Sequence, residues 1–168
     1  MGGIGDDSRT ARIASTRAFF APRAAGWEDR FPDDGPRYAR ALADLEPPVG
    51  GTVVDAACGT GRALPALRAA VGPAGTVIGV DLTTEMLAEA ARRGRRSVAA
   101  LLLADAMTLP FATGSLDAVF AAGLLPHLAD PDARRLDVLE RRLTQRLGPV
   151  TRATRPSRGG RRPPRPCR

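Results

Sequence analysis

The run Val53-Val54-Asp55-Ala56-Ala57-Cys58-Gly59-Thr60-Gly61 is the segment best suited to chemistry. A β-branched stretch leads into a carboxylate, then a glycine-containing turn, then an Ala/Leu segment of helical spacing. Glycine lets backbone approach a ligand with no Cβ in the way and tolerates positive φ. The helix that follows offers free N–H groups at its start. A dinucleotide site shares that logic, but its G-x-G-x-x-G fingerprint, read from Gly59, needs a small residue where this chain has Leu64. A carboxylate at the strand end would also face a pyrophosphate, so Asp55 points to a ligand carrying positive charge. The lysine-bearing phosphate loop is excluded, because the chain has no lysine. Cys58 reads as a small turn residue, with only Arg62 nearby to lower its pKa. His127, the single histidine, follows an aliphatic run and has two readings: a general base beside substrate, or a residue at a loop-to-helix corner. Trp27 and the Phe19–Phe20 pair either close over a ligand or pack on a sheet.

These residues need a scaffold, and the chain alternates short aliphatic runs with longer Ala/Leu/Arg segments. That alternation predicts parallel βαβ units. The expected strands are Thr52–Ala56, Thr76–Asp81, Val98–Ala104 and Leu116–Ala121. Helices are expected over Arg62–Val71, with Pro65 harmless in its first turn, and over Thr84–Arg93, stopped by Gly94. A further helix is expected over Asp132–Leu147, and two more in the first 50 residues, around Arg17–Ala25 and Pro36–Leu45.

Composition narrows the class. With 168 residues there is room for one domain. Hydrophobic residues at 43% and charged ones at 26% describe a globular chain, and aromatics at 4% leave the core to Ala, Val and Leu. No apolar run approaches the roughly 20 residues of a membrane helix, and the first residues lack a secretory pattern. Two distant cysteines, Cys58 and Cys167, supply neither a disulfide framework nor a metal site. The expectation is a cytoplasmic enzyme with no metal. The formal charge of +7 is unevenly placed: ten of the 25 arginines fall between Arg141 and Arg168, where there is no acid, so the remainder is mildly acidic. Residues 149–168 hold almost no large apolar group and are expected to be disordered.

At this point the residues resemble a known family. Asp55–Gly61 is similar to motif I of the class I, Rossmann-like S-adenosylmethionine-dependent methyltransferases, in the form seen in the small-molecule, quinone-biosynthesis branch. Val77–Leu87 resembles the second strand and its helix, with Asp81 about 20 residues beyond Gly61, the interval of one βαβ step. Leu103–Phe111 resembles the third-strand motif, and Ser115–Phe120 the fourth strand. The resemblance covers roughly residues 36–131. It implies an α/β fold, a parallel sheet with helices on both faces, and S-adenosylmethionine as cofactor. It implies that Ala57, Cys58, Gly59 and Gly61 lie along the amino-acid portion with Asp55 near the cationic end, and that Asp81 accepts both ribose hydroxyls. Asp105 and the Ala106 N–H would read the adenine edge, with Leu82, Met86 and Met107 as apolar walls. Residues 1–35 would form a helical lid segment, 36–148 the core and 149–168 the basic tail.

The family fold continues past the fourth strand with a fifth strand and a hairpin, and nothing after Leu147 reads as a strand. The expectation is a truncated or frameshifted form of a longer methyltransferase, with the fourth strand left as an edge open to self-association. Three functional readings follow. One is methyl transfer to a small organic acceptor whose reacting atom is O, C or N. Another is a catalytically impaired fragment that keeps the cofactor site. The third and weakest is a nucleic-acid binder acting through the arginine tail, which has no interleaved aromatics for stacking.

Overall fold

The computed structural model describes residues 4–31, 34–122 and 124. In chain order these form α1 (Ile4–Phe20), short 3-10 turns at Ala21–Arg23 and Glu28–Arg30, α2 (Gly35–Leu45), β1 (Thr52–Ala56), α3 (Leu64–Val71), β2 (Thr76–Asp81), α4 (Thr84–Arg92), a 3-10 turn at Arg95–Ser97, β3 (Ala100–Leu103), a 3-10 turn at Ala106–Thr108 and β4 (Ala118–Phe120). The four strands make one parallel sheet in the order β3-β2-β1-β4. The chain steps outward from β1 through β2 to β3, then returns to the other side of β1. That reversal makes β1 and β4 flank a topological switch point, where open α/β sheets bind ligands beyond the carboxyl ends of their strands.

The central strand is buried on both faces, as a parallel sheet requires. Val53 and Val77 project with Leu64, Leu67 and Val71 of α3, Leu42 and Leu45 of α2, and Phe120 of β4. Val54 and Val80 project to the opposite face, which is covered among the described residues by Leu109, Phe111 and Leu116. Val53, Val54, Leu64, Leu67, Val71 and Val80 are fully enclosed, and each such side chain stabilises the fold by about 1.5–3 kcal/mol.

Two polar devices fix the register of this sheet. At the entry to β1 the Thr52 N–H donates to Asp117 Oδ2 at 2.7 Å, and the Asp117 N–H donates to the Thr52 carbonyl at 2.8 Å. The exchange locks β4 against β1. On the helical side Arg68 of α3 gathers three carbonyls: Nε donates to Val98 at 2.9 Å, and Nη1 donates to Gly72 at 3.0 Å and Gly75 at 2.7 Å. One guanidinium thus ties the end of α3 to the approaches of both β2 and β3.

The expected strands β1 and β2 have the limits read from the sequence, whereas β3 and β4 are shorter. Val98 follows the Arg95–Ser97 turn directly and closes it with an N–H bond to the Arg95 carbonyl at 3.1 Å, so the ladder starts two residues later. The first helix departs more. It spans Ile4–Phe20 rather than Arg17–Ala25, and tightens into a 3-10 turn where Pro22 removes an N–H. The expected helix over Asp132–Leu147, the corner at His127 and the 149–168 tail lie outside the described residues.

Candidate functional site at the carboxyl ends of the strands

Asp55 and Asp81 occupy the ends of adjacent strands. Asp55 pairs in register with Gly79, and Asp81 follows two residues on, so strand alternation puts Asp55, Gly79 and Asp81 on one face. Both carboxyls are buried, at 3% and 8% exposure. Burial pushes the Asp55 carboxyl up to about 7, with the neighbouring Asp81 charge adding to the effect. Burial also raises Asp81, but N–H groups of Thr83, Gly59 and Leu82 oppose the rise. The pair is a negative centre held mostly out of water, an arrangement that favours a cation alongside it.

The turn between β1 and α3 is built on left-handed residues. Ala57, Gly59 and Gly61 have φ of 63°, 57° and 78°, and the Ala57 value is strained for a residue with a Cβ. The Cys58 N–H donates to the Val80 carbonyl at 2.9 Å, which carries the turn onto β2. The Gly59 N–H donates to Asp81 Oδ2 at 2.8 Å, while the Thr83 N–H donates to Asp81 Oδ1 at 2.8 Å. Asp81 is therefore the clamp that shapes the turn, a role the sequence reading missed. A Cβ added at Gly59 would meet nothing within 4 Å, so this turn is open on its outer side. A Cβ at Gly61 would fall 2.7 Å from Leu64 Cδ1.

Cys58 is an inert member of the group. Burial raises its thiol well above the ordinary value, and the charges of Asp55 and Asp81 push the same way, so the thiolate is suppressed. Thr60 is 1% exposed and its hydroxyl has no hydrogen-bond partner among the described residues.

At the end of β3, Asp105 caps the Ala106–Thr108 turn, accepting from the Met107 N–H at 3.0 Å on Oδ1. Its other oxygen is engaged by α1: Arg12 Nη2 donates to Oδ2 at 2.9 Å, and Arg9 Nε lies 3.4 Å from it. Arg9 Nη2 also donates to Thr108 Oγ1 at 2.7 Å, and Arg17 Nε to the Leu82 carbonyl at 2.9 Å. These arginines were not singled out from the sequence; the one signal available was the Arg9–Arg12 spacing on a helix without a clear apolar stripe. Of the remaining expected residues, Leu82 is half-buried, Met86 is enclosed under α4 at 1% exposure, and Ala106 packs with Ala56 and Leu124. Trp27 sits between Phe20, which it meets edge to face, and Phe31, which it meets at a tilt, with ring centroids 5.3 and 5.2 Å away. His127 lies outside the described residues. Among the described residues no group of three or more His, Cys, Asp or Glu is placed to hold a metal ion, and no helix is long and apolar enough to cross a membrane.

A parallel sheet with this switch point, a left-handed turn after its central strand and three strand-end carboxylates define a Rossmann-like α/β protein. Residues 53–145, more than half of the chain, match a family described as the methyltransferase domain, and the chain belongs to that family. It is 40% identical over 104 residues to nocamycin O-methyltransferase of Saccharothrix syringae, covering 57% of this chain and 37% of that protein. It is 36% identical over 95 residues to demethylmenaquinone methyltransferase of Desulfitobacterium hafniense, covering 54% of this chain and 38% of that protein. Among solved structures it superposes with TM-score 0.58 and 32% identity on a chain of the complex between the Haloferax volcanii Trm112 methyltransferase activator and a methyltransferase, covering 73% of this chain and 52% of that one. The chain spans about a third of the length of the curated relatives it matches.

Proposed function

We propose that this chain binds S-adenosylmethionine at the carboxyl ends of β1, β2 and β3 and methylates a small organic molecule. The observation that carries the reading is the pairing of Asp55 and Asp81 on one face, with the left-handed Ala57–Gly61 turn fastened between them through Gly59. The cofactor fits what these residues offer. Its amino-acid portion, cationic at the sulfonium and ammonium, suits the open outer side of the Gly59 turn and the buried Asp55 carboxyl. Asp81 is held in place by the Gly59 and Thr83 N–H groups, with the Thr83 hydroxyl and the Leu82 N–H also bonding to it, and this fixed carboxylate would accept the ribose hydroxyls. Asp105 and the Ala106 N–H face the adenine edge, with Leu82 and Met86 contributing apolar surface. When bound, the sulfonium supplies an already activated methyl group, so the protein's task is positioning and exclusion of water.

A small organic acceptor is supported by the relatives, whose names specify nocamycin and demethylmenaquinone. A small, largely organic acceptor is therefore the substrate assigned here. Cytoplasmic placement goes with this reading, and the free Cys58 suits a reducing compartment. Calorimetry with S-adenosylmethionine and S-adenosylhomocysteine tests the proposal. Binding by the wild type that drops at least tenfold in Asp81→Asn supports it, and equal binding by the two proteins overturns it.

A further inference from the structure

The inner side of the Ala57–Gly61 turn is filled in part by a residue from elsewhere in the chain. A Cβ at Gly61 would fall 2.7 Å from Leu64 Cδ1 and 3.1 Å from Arg95 Cγ, so these two side chains occupy the hollow that the glycine leaves. Leu64 belongs to the helix that follows the turn and is fully enclosed. Arg95 comes from the connection between α4 and β3, where the Val98 and Ala99 N–H groups donate to its carbonyl at 3.1 and 3.0 Å and fix its backbone. Its head is poorly served. Nη2 lies 3.7 Å from Glu28 Oε2, which Arg93 Nη1 approaches more closely at 3.2 Å. Arg95 Nε and Glu28 Oε1 are buried and have no hydrogen-bond partner among the described residues. A guanidinium with a buried donor left unpaired contributes less through its charge than through its stem, which packs as an apolar rod.

We propose that Arg95 is a positioning residue: its stem supports the Gly59–Gly61 turn from behind and so fixes the outer surface against which the amino-acid portion of the cofactor lies. The proposal rests on the S-adenosylmethionine reading above. Gly59 is clamped by Asp81, and the Gly61 N–H closes back on the Cys58 carbonyl at 2.9 Å. Gly61 itself, at φ of 78°, has no side chain to anchor it, so its neighbours must limit its freedom. Removing the Arg95 stem opens space behind Gly61 and lets the turn sink inward. The nucleobase contacts assigned to Asp105 and Ala106 lie at the end of β3 and do not use this surface. The effect of Arg95 is therefore confined to ligands that carry the amino-acid portion.

The test is calorimetry with two probes, S-adenosylhomocysteine and adenosine, which differ by the amino-acid portion. Arg95→Ala removes the stem, whereas Arg95→Met keeps an unbranched stem and drops the charge. Arg95→Ala is expected to bind S-adenosylhomocysteine at least fivefold more weakly, with adenosine within twofold of wild type. Arg95→Met is expected within twofold of wild type for both probes, as is Arg96→Ala, a control at an exposed position. Amide hydrogen exchange at Gly59 and Gly61 without ligand is expected to be at least fivefold faster in Arg95→Ala alone. Equal weakening of both probes in Arg95→Ala, or unchanged binding of S-adenosylhomocysteine, overturns the positioning role. Arg95→Met carries the test even where Arg95→Ala does not fold: wild-type affinity in it supports the role of the stem, and a fivefold loss assigns the effect to charge and overturns the proposal. Wild type binding neither probe overturns the cofactor reading and this role with it, an outcome set apart from the others because it shows before any substitution.

Discussion

The Gly59 amide donates to Asp81 Oδ2 at 2.8 Å, and through that bond a carboxylate on β2 holds the turn that follows β1. The same side chain accepts the Thr83 N–H at 2.8 Å and so also shapes the start of α4. Hydrogen bonds to a charged group contribute roughly 1.5–3 kcal/mol each. In Asp81→Asn one oxygen becomes an NH2 that opposes an N–H, while a buried charge is removed. The expected result is a net loss of about 1–2 kcal/mol in urea unfolding, together with the weakened nucleoside binding described above. A variant as stable as wild type would show that the clamp has little weight.

Asp55 gives the fold a pH dependence of definite sign. Its carboxyl rises from 3.8 in the unfolded chain to about 7 in the native state, so the native protein holds the extra proton between those values. Its stabilising contribution is full below about pH 4 and is lost as pH rises through 7. Each unit of upward shift corresponds to about 1.4 kcal/mol. Unfolding free energy is expected to fall between about pH 4 and 7, and Asp55→Asn is expected to flatten that slope. A wild-type slope unchanged in the variant would assign the titration elsewhere.

A cation beside Asp55 favours its ionised form. Binding of S-adenosylmethionine at pH 6 is therefore expected to release protons, and the affinity is expected to rise toward pH 8. Calorimetry in buffers of different ionisation enthalpy measures the release directly. No buffer dependence would mean that Asp55 does not face the cationic end.

Ala57 adopts φ of 63°, where a Cβ costs about 1–2 kcal/mol. Glycine removes that strain but adds roughly 0.5–1 kcal/mol of unfolded-chain entropy. Ala57→Gly is expected to raise stability by about 0.5–1 kcal/mol, and Ala57→Val to lower it by more than that. Thermal unfolding of the two variants checks the order.

Arg68 reaches three carbonyls from one side chain. Arg68→Ala is expected to cost about 2–3 kcal/mol, and Arg68→Lys to recover less than half, because an ammonium cannot reproduce the planar fork. Full recovery by lysine would show that charge alone matters there.

Legibility in the sequence followed the strength of local signals. β1 and β2 were readable to the residue, since Val53-Val54 and Val77-Ile78 sit between Gly or Asp boundaries and, apart from the half-buried Ile78, are buried. The ends of β3 and β4 were not, because ladder pairing rather than composition decides where an outer strand stops. The strand-end acids Asp55, Asp81 and Asp105 were visible as types at βαβ spacing, but their mutual arrangement was not. That Asp81 grips Gly59, and that Asp105 is shared with Arg12, depends on contacts 22 and 93 residues apart in the chain. Helix α1 was misplaced because polar contacts, not an apolar stripe, hold it. The loss of β-pairing signals after Leu147 has no structural counterpart among the described residues.

The most direct measurement is a crystal structure of the protein grown with S-adenosylhomocysteine. The account predicts ribose hydroxyls within hydrogen-bond distance of Asp81, the amino-acid portion along Ala57–Gly61 near Asp55, and adenine beside Asp105 and Ala106. A saturated crystal with the ligand bound away from the ends of β1, β2 and β3, or with that site empty, would contradict it.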